Sequence, residues 1–144
     1  MRRFLLMLAI FAGATLSVTA DQSRPEFDQS GKGAVICVWS IYVDIQQGIE
    51  LCDLPPMAGD EDLAPSIRRV EEFILEHTTR GVTQAMLDSH KSRTSEQSKQ
   101  ALSTQSDGLC ETVKMLREKM VGNLVAATDD LLSVPREPLW NPCI

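Results

Sequence analysis

Residues 34–52, AVICVWSIYVDIQQGIELC, constrain the fold more than any other stretch of this chain. They form the most apolar run after the first 20 residues, and a cysteine stands near each end. Read as a helix, Ala34, Cys37, Val38, Ile41, Tyr42, Ile45, Ile49 and Cys52 fall at the i, i+3, i+4, i+7 spacings of one buried face. Val35, Ile36, Val38, Ile41 and Val43 are β-branched and argue for a strand. Length decides between the two. A buried strand runs about four to eight residues, so a run this long predicts a helix. Cys37 and Cys52 then lie about 22 Å apart along its axis. A disulfide needs its Cα atoms within about 7 Å. The two therefore cannot pair with each other, and each must reach a cysteine further along the chain.

The compartment is read from the first residues. Arg2 and Arg3 precede an apolar run from Phe4 to Val18, and Val18-Thr19-Ala20 offers a small-residue cleavage site before Asp21. Residues 1–20 are expected to be a cleaved signal peptide, because the apolar run is shorter than the roughly 20 residues a spanning helix needs. No stable membrane anchor is expected after cleavage. The segment carries two arginines and no acid, so its removal takes the net charge from −6 to −8. An acidic surface argues against nucleic acid or anionic membrane as partners. Four cysteines behind a signal peptide predict two disulfides in a periplasmic or secreted protein. Their spacings offer no C-x-x-C pair, so neither a zinc site nor a redox pair is expected.

The rest of the chain divides into helical runs and breaks. Residues 21–33, polar with Pro25, Gly31 and Gly33, read as a flexible lead-in, and residues 34–144 as one domain. Pro55-Pro56 ends the first helix, and Asp60, Glu61 and Asp62 form an acidic cluster. That cluster either docks a basic partner or forms a solvated loop that favours the next helix N-terminus. Pro65 is expected at the first position of a second helix. Ile67, Val70, Phe73, Ile74 and His77 make its inner stripe, with Arg68, Arg69, Glu71, Glu72 and Glu76 facing water. Val82, Ala85, Met86 and Leu87 start a third run whose apolar face ends there. Residues 88–100 read as a solvated helix or a flexible loop. Ser106 or Asp107 is expected to cap a last helix. There Leu109, Val113, Leu116, Met120, Leu124, Ala127 and Leu131 repeat at threes and fours until Pro135. The tail REPLWNPCI should be extended and pinned by Cys143.

Packing the last helix antiparallel to the first places Cys110 beside Cys52 and delivers the tail toward Cys37. Parallel packing would swap the partners, and the sequence leaves that choice open. The expected fold class is all-α, a small bundle of three or four helices stapled by two disulfides.

Catalytic signatures are missing. There is no G-x-S-x-G, no paired histidines and no phosphate loop, and His77 and His90 have no evident partner. Carboxylate pairs are always on offer among 20 acids, so an enzyme of that type stays as the alternative. No cofactor is expected. Cys37, Cys52 and Pro55, followed by the helix IRRVEEFILEH, together resemble the periplasmic immunity proteins of the Tai family over residues 34–77. Those are small helical disulfide-bonded inhibitors of peptidoglycan amidases delivered by type VI secretion. The resemblance implies an inhibitor-like role and carries no binding residue. The later half, with Cys110, departs from that pattern. The leading expectation is a non-enzymatic exported protein that binds another protein as inhibitor, adaptor or chaperone, with an envelope-assembly component as a further alternative. If a contact surface exists, Leu139 and Trp140 beside Cys143 are the candidates, because tryptophan often anchors interfaces. The competing role for Trp140 is to plug one end of the bundle.

Overall fold

A computed structural model describes residues 27–104 and 106–143 of the chain. The expected signal peptide, the start of the lead-in and the side chains proposed to cap the last helix lie outside the described residues. The described chain is all-α. It consists of α1 (Val35–Leu51), α2 (Leu63–His77), α3 (Gln84–Thr104), α4 (Ser106–Met120) and α5 (Leu124–Leu132), with 3-10 turns at Asp60–Asp62 and Val121–Asn123. Cys37–Cys143 and Cys52–Cys110 are bridged, with Cα atoms 5.4 and 5.7 Å apart. This is the pairing that antiparallel packing of α1 and α4 requires. Two such bridges fit an oxidising compartment. No helix among the described residues is long and apolar enough to cross a membrane.

Helix α1 is the axis of the bundle, packed against α2, α3 and α4. The single buried face expected of it is therefore incomplete. Val35, Ile36, Trp39, Val43 and Gly48 are buried as well, because neighbours cover α1 on several sides, while Ile41, Ile49 and Cys52 of the expected stripe are half-buried. Its cap residue, Ala34, has no side-chain acceptor for the free N–H groups of the first turn. The tail fills that role, with the Leu139 carbonyl accepting the Ile36 N–H at 3.0 Å.

Helix α2 begins two residues earlier than expected. Pro65 falls in its first turn, where a missing N–H has no helical partner to lose. His77 ends the inner stripe as a packing residue, stacked on Phe73 at 4.0 Å with Nδ1 against the Phe73 carbonyl. Glu71 does not face water. It is buried, because Trp39 and Lys91 offer its carboxylate two donors. Residues 88–100 are helical, within α3. The Thr83 hydroxyl accepts the Met86 N–H and caps this helix, and its sequence is rich in helix formers. Only Leu87 of α3 is buried.

The last amphipathic run is two helices, not one. The turn at Val121–Asn123 packs Val121 against Gly59, whose φ of 96° and close approach suit glycine. Beyond this turn Leu124 and Leu131 stay buried, as the spacing predicts. Ala127 is exposed, and Thr128 takes the inner position with its hydroxyl donating to Tyr42 Oη. Arg136 then ties the tail down. Its guanidinium donates to Asp28 at 2.7 Å and to the carbonyls of Gly33, Leu131 and Val134. Burial works to raise the Asp28 carboxyl, but hydrogen bonds from Ser30 and Arg136 outweigh it and hold it below the usual range. Phe27 pairs with Asn141 in a lone β-bridge, so both described ends of the chain meet at one place.

Candidate binding groove

Three elements with different demands meet at one end of the bundle. Helix α1 contributes Ile36 and Trp39 from its first turns. Helix α3 contributes Met86, His90 and Arg93, spaced i, i+4 and i+7 along one face. The tail contributes Trp140, held on either side by the Leu139 carbonyl bond and the Cys37–Cys143 bridge. Between them lies an open groove of about 400 Å³.

The two indoles play different parts. Trp39 is 1% exposed and forms the floor. Its Nε1–H donates to Glu71 Oε1 at 3.0 Å, so the one polar atom of a buried indole is satisfied. Lys91 closes this network by pairing with both Glu71 and Asp88 at 3.0 Å. Burial works to lower the Lys91 ammonium, but the two carboxylates outweigh it and hold its pKa above the usual value. Trp140 is 47% exposed and forms the rim. The His90 ring lies between the two, 5.1 Å from Trp39 and 5.7 Å from Trp140. Met86, 54% exposed, stands on the opposite rim.

Of the residues read from sequence as a contact surface, Trp140 alone points outward at this groove. Leu139 is half-buried beside it and serves mainly through its backbone. The acidic cluster lies elsewhere and is largely used inside the molecule. Asp60 makes a two-point ion pair with the buried Arg117, whose guanidinium also donates to the Pro55 carbonyl at 2.8 Å. The Arg117 hydrogen bonds hold the Asp60 carboxyl below its usual range. Glu61 accepts the Gly59 N–H, and Asp62 lines a separate cleft beside Val121.

Sequence reasoning missed His90 and Arg93 as groove residues. A polar run with no apolar stripe hides which of its faces meets a neighbour. The one available signal was Met86, His90 and Arg93 at helical spacing. Among the described residues, no group of three or more His, Cys, Asp or Glu side chains is placed to hold a metal. Compared with protein-family models, curated proteins and solved structures, the chain matches none of them.

Proposed function

We propose that this chain is an exported, non-enzymatic protein that binds another protein through the surface around Trp140. The observation that carries the reading is the exposure of Trp140. A large aromatic side chain stands about half in water, yet the backbone on either side of it is held, by the Ile36 N–H bond to the Leu139 carbonyl, the Asp28 N–H bond to the Asn141 carbonyl and the Cys37–Cys143 bridge. A rigidly held aromatic loses little conformational freedom when a partner covers it. Met86 on the facing rim and Phe27 beside Asn141, 54% and 56% exposed, extend the apolar contact. The two disulfides support export to the periplasm or beyond. An inhibitor is the form of binding that the Tai resemblance implies.

The test is affinity capture from an envelope extract with the oxidised protein spanning residues 21–144, and with its Trp140→Ala variant. Expected is one stoichiometric protein partner that the variant loses while its melting curve is unchanged. A variant that captures the same partner equally well would refute the surface. A variant that no longer melts cooperatively would show Trp140 to be a plug of the fold.

A further inference from the structure

We infer that the groove between Trp39, Trp140 and α3 is a binding site for a small amphipathic carboxylate, with its apolar body against the indoles and Met86 and its carboxylate at Arg93. This goes beyond protein docking and does not rest on it. The ligand occupies the floor of the groove beneath the rim that a partner would cover.

The groove is graded along its length. Met86, His90 and Arg93 follow one another on a single face of α3, so an apolar end and a cationic end are separated by about 10 Å. The opposite wall, from Ile36, Trp39 and Trp140, is apolar throughout. A volume of about 400 Å³ falls within the usual range of small-molecule sites, roughly 300–1,000 Å³. Charge sets the polarity of the ligand. The carboxylates of Glu71 and Asp88 are both turned to Lys91, with which each pairs at 3.0 Å, so neither is engaged with Arg93. Asp44 lies near His90 but lines a different cleft, toward α4. Arg93 has no ion-pair or hydrogen-bond partner among the described residues and is the uncompensated charge in the groove. Its planar fork matches a carboxylate in two-point contact. A phosphate would call for a second cation, and the groove lining provides only Arg93 and the imidazole of His90. The chain as a whole is acidic, so a local positive end favours a small anion over a large anionic surface.

The site carries its own reporter. The chain has two tryptophans, and both line the groove. Intrinsic tryptophan emission of the oxidised protein should therefore change saturably on titration with decanoate below its micelle concentration. Arg93→Gln should weaken decanoate by about tenfold, the loss of one charge-assisted contact, while leaving the emission change at saturation intact. Met86→Glu should abolish the response with unchanged far-UV CD. Decyltrimethylammonium, with the same chain and opposite charge, should give no saturable change. The proposal is overturned by the absence of saturable decanoate binding at millimolar concentration. Equal binding of decanoate by Arg93→Gln would also overturn it, as would equal binding of the cationic probe. Each of these results stands whatever the capture experiment gives.

Discussion

Replacing Gly48 with alanine tests a close approach in the bundle, where α1 packs against Val113 of α4. A Cβ at position 48 would stand 2.5 Å from Cγ2 and 2.7 Å from Cγ1 of Val113. Val113 is buried and β-branched, with one strongly preferred χ1 in a helix, so it cannot swing aside. In an open helix the same substitution would stabilise by about 1 kcal/mol, because alanine is the better helix former. Overpacking opposes this with about 1–3 kcal/mol, and two methyl groups struck at once places the cost toward the upper end. The net expectation is a loss of about 1–2 kcal/mol. For a domain of this size that lowers the Tm by about 3–8 °C. Val113→Ala alone should also destabilise, by about 1.5 kcal/mol for two buried methyl groups. The double variant should be less destabilised than the two losses combined, with a coupling of about 1–2 kcal/mol, since each change makes room for the other. Urea unfolding of the four oxidised proteins, followed by far-UV CD, measures all of this. A Gly48→Ala variant more stable than the parent, or strictly additive effects, would refute the close approach.

Three further outcomes follow from the buried charges and the bridges. Arg117→Met should destabilise by about 3 kcal/mol in urea unfolding, because it leaves Asp60 without its partner and frees the loop before α2. Asp28, Asp60 and Glu137 all have carboxyl groups held below their ordinary range; for Glu137, burial works the other way but is outweighed by hydrogen bonds from Thr79. Their folded pKa values lie below the unfolded ones. The stability they give is therefore complete above about pH 4–5 and lost as pH falls through the lowered values. Thermal melts between neutral and acid pH should show this loss, and Asp28→Asn should make it shallower. Reducing Cys52–Cys110, which closes a separation of 58 residues, should remove about 4 kcal/mol on the chain-entropy model. Unchanged far-UV CD and an unchanged melt in excess reductant would contradict that.

Much of the scaffold was legible because it follows from spacing. The length of the apolar run gave α1, and the separation of Cys37 and Cys52 forbade their pairing; between the two cross-pairings left open, the structure has the one that goes with antiparallel packing. The errors have physical causes. Glu71 carries a charge, and charge at helical spacing reads as solvent-facing unless its donors are known. Those donors are Trp39 from α1 and Lys91 from α3, on separate helices. The break at Val121–Asn123 packs against Gly59, 62 residues upstream of Val121 in number; Gly122 and Asn123, both poor helix formers, mark it locally but did not outweigh the regular apolar spacing on either side. The groove suffered most. For Trp140 the sequence offered both an exposed contact and a buried plug with nothing local to separate them, and Arg93 and His90 gain meaning only when α3 lies beside α1.

The order of the bridges along the chain has a consequence for proteolysis. The Cys52–Cys110 bridge is nested inside the Cys37–Cys143 bridge. A single cut anywhere between Cys37 and Cys143 leaves both fragments joined by the outer bridge. A cut between Cys52 and Cys110 leaves them joined by both. A protease in the same compartment could thus nick the exposed surface of α3 or the Pro55-Pro56 loop without releasing a piece. The nicked protein would migrate as one molecule until its disulfides were reduced.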